Sequence, residues 1–304
     1  MLKNKNYSSI DNIKIFKSLD NITNNVISFY KDDPFPNYEL TDNKLSILEK
    51  GDNNLFTSSL KKFIGYNKKI LEVGAGTCQL SNYLSIGNRN KITAFDANFS
   101  SLKIGSDFAK KNGLKNVDFI CGDIFDEHFE EGYFDIVLCN GVLHHTKDTF
   151  AAMKEISKCL KKDGIILIGL YNKFGRIRTF LRKIIYKLLG KKYLMIFDPV
   201  LRKINKESVK KIDAWIKDQY THPVERSHTY DELLRAFEET NIKFFNSYPS
   251  CDFFNETEDN QNISSLFKKG NECKKIDRIL TQIFMIFNRQ GGEGGLYIFL
   301  GQKK

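Results

Sequence analysis

Residues 68–78 read Lys68-Lys69-Ile70-Leu71-Glu72-Val73-Gly74-Ala75-Gly76-Thr77-Cys78, a short apolar run that stops at two glycines. A run of this length, closed by glycine, predicts a buried strand that turns directly into a helix. Glycine at 74 and 76 lets the backbone bend steeply and lets a ligand approach with no Cβ in the way. The N–H groups that open the next helix then suit an anionic or polar ligand group. This is the physics of a nucleotide-binding turn. A dinucleotide dehydrogenase would need a third glycine where Gln79 stands, for pyrophosphate approach and close helix packing, and it is absent.

Outward from that turn, residues 69–172 alternate apolar strands with amphipathic helices. Ile92–Phe95 ends at Asp96, Val117–Cys121 ends at Gly122-Asp123, and Phe134–Cys139 ends at Asn140-Gly141. A helix is predicted over Ser100–Lys111, closing at Gly113, and another from an Asp148 cap through Leu160, with Ile165–Leu170 as the fifth strand. Nearly continuous apolar strands between such helices imply a parallel sheet covered on both faces. Ligands bind in such sheets beyond the carboxyl ends of the strands, where Asp96, Asp123 and Asn140 all stand. A carboxylate at Asp96 can accept from vicinal ribose hydroxyls.

The motif Glu72-Val73-Gly74-Ala75-Gly76-Thr77 resembles the first motif of class I S-adenosylmethionine-dependent methyltransferases. The segment Asn140-Gly141-Val142-Leu143-His144-His145 is similar to the small-molecule branch of that family. The resemblance implies a Rossmann-like, doubly wound α/β fold whose seven-stranded sheet is mostly parallel, with the last strand antiparallel. It also implies S-adenosyl-L-methionine as cofactor, held by Glu72, Gly74, Ala75, Gly76, Asp96, Ala97, Asp123, Ile124 and Asn140. In this assignment Asp123 accepts from the adenine amino group and the Ile124 N–H donates to the ring. Asn140 offers its carbonyl to the cofactor's ammonium group, and Glu72 counters that charge through solvent. The family usually has glycine where this chain has Cys78, a departure expected to tighten the space near the methionine end.

Methyl transfer is an in-line displacement, so it needs alignment, desolvation and, for a weak nucleophile, a proton acceptor. Histidine has a suitable pKa, which makes His144 or His145 the candidate base, with at least one of the pair expected only to order the loop. No carboxylate–histidine cluster has metal-ligand spacing, so no metal is expected.

Beyond the fifth strand the chain makes a long excursion before the closing strands, placed at Ile242–Ser247 and Gly295–Leu300, with Thr229 capping a helix over Tyr230–Glu239. The expected organisation is a helical and extended arm over 1–54, a core over 55–172 and 229–304, a helical cap inserted over 173–228, and a second insertion over 249–293. The predicted helix Gly175–Lys192 carries Ile177, Leu181, Ile184, Ile185 and Leu188 on one face, ringed by Arg176, Arg178, Arg182, Lys183, Lys187 and Lys191. Such a stripe is expected to pack on the domain with its charges in water, the alternatives being a membrane surface or an acidic substrate. The polar run 218–229 offers Tyr220, His222 and Arg226, with Tyr171, as substrate-reading residues, or else as scaffolding that buckles the cap to the core. At the other end, Ile13, Ile15, Phe16, Leu19, Ile22, Val26 and Phe29 predict one amphipathic helix. The stretch 29–38, with its aromatics and two prolines, is either a plug that fastens the arm or a lid over the pocket. A helix follows over residues 55–65.

The 304 residues, 41% hydrophobic and 28% charged, describe a globular protein able to bury a full core. No run approaches the roughly 18 apolar residues of a membrane span, and a cytoplasmic protein is expected. The six cysteines suit reduced thiols in the core. A net charge of +10 favours acidic partners. The expected function is methyl transfer to a small or medium-sized acceptor, at oxygen or carbon, with acidic and lipid-like acceptors both compatible. The alternatives are an RNA methyltransferase and a non-catalytic relative that binds cofactor. A nucleic-acid partner is not expected, because the chain shows no RNA-binding module or aromatic-basic platform.

Overall fold

In the computed structural model, residues 1–3, 5–16, 21–30, 38–203, 209–254, 262–270, 274–287 and 295–304 are described. The chain opens with a hairpin, β1 (Ser8–Ile10) and β2 (Ile13–Ile15), followed by α1 (Asn21–Tyr30), α2 (Lys44–Asn53) and α3 (Leu55–Ile64). The repeating unit then runs β3 (Lys69–Val73), α4 (Gln79–Ser85), β4 (Lys91–Asp96), α5 (Phe99–Lys111), β5 (Val117–Cys121) and β6 (Phe134–Asn140). A 3-10 turn at Leu143–His145 leads to α6 (Thr149–Lys158) and the long strand β7 (Leu160–Tyr171). Three cap helices follow, α7 (Ile177–Leu189), α8 (Lys191–Phe197) and α9 (Val209–Tyr220). The chain closes with α10 (Tyr230–Glu239), β8 (Ile242–Tyr248), α11 (Lys275–Phe287) and β9 (Leu296–Lys303).

Among the described residues the sheet has nine strands in the order β1-β2-β5-β4-β3-β6-β7-β9-β8. The strands from β2 to β7 pair in parallel, and β9 is antiparallel to both β7 and β8. The expected seven strands are therefore extended by the N-terminal hairpin, which joins β5 at the edge. That hairpin corrects the reading of residues 13–16 as helix: Ile13 and Ile15 alternate with Lys14, a period of two, and pair with Phe119 and Cys121. The described helix of the arm spans Asn21–Tyr30. Of the aromatic stretch 29–38, residues 31–37 lie outside the described residues.

Burial on both faces explains why these strands read as unbroken apolar runs. Leu71, Ile166, Ile168 and Phe299 belong to one core, while Ile70, Leu167, Ile298 and Leu300 belong to the core on the other side. Side chains alternate across a strand, so consecutive apolar residues feed opposite cores. Strand order reverses between the two neighbours of β3, and this switch point sets the crevice at the tip of β3.

Capping fixes two helix starts as expected. Asp148 accepts from the N–H of Phe150 and Ala151, both at 3.0 Å, and Thr229 and Glu232 form a reciprocal capping box at α10. The cap helices have a small core of their own around Leu194, Leu201, Ile212 and Ile216. One expectation about the cap is reversed. Ile177, Leu181, Ile184 and Leu188 of α7 are exposed, while Thr179 on the opposite side is buried. Cys251 also departs from the reduced-thiol reading, since it is disulfide-bonded, whereas Cys78, Cys121, Cys139 and Cys159 are free. Among the described residues, no helix is long and apolar enough to cross a membrane.

Candidate active site

The turn after β3 takes the conformations its glycines allow. Gly74 and Gly76 have φ of +69° and +52°. A Cβ at Gly74 would come within 2.3 Å of the Val142 side chain, so glycine is what lets the loop after β6 close over the tip of β3. The same left-handed backbone continues at Cys78, φ +61°, just before α4. Its thiol does not tighten the ligand space, as the sequence suggested. It is fully buried in the cluster of Ala75, Ala94 and Leu102, against a helix that carries glycine at 105 to admit it.

Three strand tips converge here. Gly76 N–H donates to Asp96 Oδ2 at 2.8 Å, Asn98 N–H donates to Oδ1 at 2.7 Å, and Gly122 N–H donates to the Asp96 carbonyl at 3.1 Å. Burial raises the Asp96 carboxyl above its ordinary pKa, against the pull of those N–H donors. Asp123 is buried and accepts from Phe125 N–H at 3.0 Å and from the Thr23 hydroxyl at 3.2 Å. Ala75 N–H bonds the Phe95 carbonyl at 3.1 Å, the Ala97 carbonyl takes the Cys121 thiol at 3.4 Å, and Ile124 packs partly buried on the core. Asn140 is exposed at the tip of β6, its side chain lying over Gly169, where a Cβ would fall 1.8 Å from Oδ1. Glu72 accepts from the Ser81 hydroxyl, and burial, with the nearby Asp96, lifts its pKa to about 7.

The histidines lie next to this rim. His144 is fully buried, with no hydrogen-bond partner on either ring nitrogen, between His145 at 4.2 Å and Tyr171 at 4.1 Å. Burial first, and then the neighbouring His145, hold its pKa well below the ordinary value. His145 Nδ1 sits 2.7 Å from the Val224 carbonyl, which can only accept, so Nδ1 carries a proton. His222 stacks on His145 at 3.7 Å, and burial lowers its pKa to about 3. Phe29 of α1 lies 4.8 Å from the His222 ring, so the arm reaches over this cluster. Tyr38, further along the arm, stacks on Phe108 at 4.3 Å and bonds Asn82, fastening the arm elsewhere.

Two of the proposed substrate readers are engaged in scaffolding. Tyr220 is buried in the cap core and donates to Asp198 at 2.7 Å. Arg226 donates to the carbonyls of Thr146 and Lys147, strapping the histidine loop down. Tyr171 and His222 do join the cluster. Sequence reasoning missed what holds Tyr171. Arg176 lies 4.0 Å above its ring, pairs with both Glu225 oxygens at 3.1 and 2.6 Å, and donates to Gln219 at 2.8 Å. Arg176 looked like the other cations of its helix, and the acid it meets is 49 residues away. His228, which bonds the Thr149 hydroxyl at 2.9 Å, was seen only as part of a polar run.

Residues 71–168 match the family model described as methyltransferase domain. The cofactor that the resemblance of the Glu72–Thr77 motif implies is S-adenosylmethionine. An uncharacterized methyltransferase of Bacillus subtilis, YcgJ, is 31% identical over 100 residues, 33% of this chain and 39% of that protein, so the chain spans well under half of that relative. A demethylmenaquinone methyltransferase of Staphylococcus aureus is 26% identical over 202 residues, 65% of this chain and 78% of that protein. The structure of PKMT2 from Rickettsia typhi superposes with a TM-score of 0.56 at 15% identity, covering 81% of this chain and 52% of that one, a likeness of fold.

The residues present suit this cofactor. Gly74 and Gly76 keep the turn free of side chains, and burial raises the pKa of two rim carboxyls, Glu72 and Asp96. Asn98 adds a buried amide Nδ2 with no partner beside Asp96.

Proposed function

We propose that this chain transfers a methyl group from S-adenosylmethionine to a ring-bearing, apolar acceptor such as a hydroquinone, at carbon or oxygen, with His145 as the general base. The observation that carries the reading is the position of the imidazole cluster, on the loop directly after Asn140 and folded over the glycine turn through Val142. Glu72 and Asp96 would hold the cationic and ribose ends of the cofactor, and Asp123 with Ile124 the adenine. The cofactor, when bound, supplies a methyl group on a positively charged sulfur. The protein supplies the rest. Rings of His144, His145, His222, Tyr171 and Phe29 pack into one aromatic cluster, against whose accessible edge a flat acceptor would lie. With a proton held on Nδ1 by the Val224 carbonyl, the neutral ring of His145 would take the acceptor's hydroxyl proton at Nε2, raising electron density on the acceptor's ring or oxygen. His144, buried and neutral, serves as packing beneath it. The similarity to demethylmenaquinone and ubiquinone/menaquinone methyltransferases supports an acceptor of this class.

The test is transfer of labelled methyl from S-adenosylmethionine to a panel of hydroquinones and phenols. Turnover is expected for wild type, with His145→Gln about 10²- to 10⁴-fold slower at unchanged cofactor affinity. Equal rates for the variant would remove the base assignment, and no labelled product from ring acceptors would remove the acceptor class.

A further inference from the structure

Two helices of this molecule wear their amphipathic pattern inside out. On α11 the buried residues include Asp277, Thr281 and Gln282, while Ile276, Ile279, Ile283 and Phe287 face outward, the last of them 72% exposed. The inversion is held by specific bonds. Gln282 Oε1 accepts from Asn172 Nδ2 at 3.0 Å and from Tyr230 N–H at 2.9 Å, and the Thr281 hydroxyl donates to the Ser250 carbonyl at 3.0 Å. The helix therefore cannot rotate to hide its apolar stripe without leaving buried polar groups unpaired. On α7 the outward stripe is Ile177, Leu181, Ile184 and Leu188, the last 77% exposed, with Phe180 beside it. Arg178 of α7 donates to the carbonyl of Phe287 at 3.1 Å, so the start of one stripe abuts the end of the other. Tyr193, Ile196 and Phe197 of α8 continue the exposed apolar surface.

Charge decides what such a face meets. From Lys173 to Phe197 the sequence has eight Lys or Arg and no Asp or Glu. Three of them, Lys173, Arg176 and Lys191, pair with Glu232, Glu225 and Asp213, which leaves Arg178, Arg182, Lys183, Lys187 and Lys192 for the face. On α7, Lys183 and Lys187 flank one side of the stripe and Arg178 and Arg182 the other, by helical spacing. A second copy of the chain, meeting this face about a two-fold axis, would set basic rim against basic rim. An anionic bilayer complements it, with aliphatic and aromatic side chains in the acyl boundary and cations at the headgroups.

We propose that the surface of α7, α8 and α11 is a docking face for an anionic lipid bilayer, on which the protein lies without spanning it. Exposed patches of this kind mark interaction sites in soluble proteins. The assignment stands on this surface alone and is independent of the acceptor.

The test is co-sedimentation of the full chain with vesicles of phosphatidylcholine, alone or with phosphatidylglycerol, at low and high salt. Binding is expected to the mixed vesicles and to weaken with salt. It should fall more than about hundredfold on pure phosphatidylcholine, since each cation at an anionic surface contributes roughly fivefold. Leu181→Glu with Leu188→Glu should lower binding at least about tenfold at unchanged circular dichroism. Lys110→Glu on α5, which changes net charge by the same amount elsewhere, should leave binding within about twofold. Failure to bind mixed vesicles, or equal loss in the Lys110→Glu control, overturns the proposal. So does a concentration-dependent dimer that the double substitution abolishes, because the face would then serve self-association.

Discussion

If Glu72 holds the cationic end of the cofactor as proposed, cofactor binding is expected to release a proton. The Glu72 carboxyl, buried at the rim beside Asp96, has a pKa of about 7, so about half of the free protein carries a proton there at pH 7. A cation settling against it favours the charged form and expels that proton. Binding should then release about 0.9 proton at pH 6 and about 0.5 at pH 7, and the affinity should rise about fivefold between them. The ligand's own amino group titrates near 8 and would take up protons, the opposite sign, so the range below pH 7 isolates Glu72. Stability of the free protein should run the other way. The folded state keeps this proton to higher pH than the unfolded chain, so stability falls as pH rises from 4.5 to about 7. The fall should be about 2 kcal/mol, a discounted figure because the side chain keeps some contact with solvent. The assay is calorimetric titration of S-adenosylmethionine in two buffers of different ionisation enthalpy at pH 6 and 7, with Glu72→Gln alongside. Proton release near zero in wild type, or the same release in Glu72→Gln, would refute the argument.

The left-handed Cys78 and Gly105 form a matched pair. A methyl at Gly105 would meet Cys78 Cβ and the Thr77 carbonyl at 2.6 Å, so Gly105→Ala should cost about 2 kcal/mol, and at least about 1 kcal/mol less in a Cys78→Gly background, by a thermal double-mutant cycle. Arg176→Met should destabilise by about 3 kcal/mol in urea titration, because Glu225 keeps a half-buried charge with its main partner gone, and adding Glu225→Leu should recover more than half of the loss.

Much of this molecule was readable along the chain. A strand buried on both sides must be apolar at every position, and a parallel neighbour must be reached through a helix, so Ile70, Leu71, Ile166 and Leu167 announce a doubly wound sheet by themselves. The two glycines and the acids at strand ends followed, because backbone conformation and strand termination are local properties. Asp148 and Thr229 could be named as caps for the same reason.

What the sequence alone determined, then, is whatever depends on near neighbours: strand and helix periods, caps, the glycine turn, and the order in which polar tips arrive. Tertiary structure decided the rest. A single turn of α7 or α11 shows which residues are apolar but not which way the stripe points, and only Gln282 reaching Asn172 and Tyr230 turns the polar side inward. Likewise Arg176 became the support of Tyr171 because the fold brings Glu225 and Gln219 to it, and Tyr220 was drawn into the cap by Asp198. Pairings across such distances are set by packing that no local window of sequence contains.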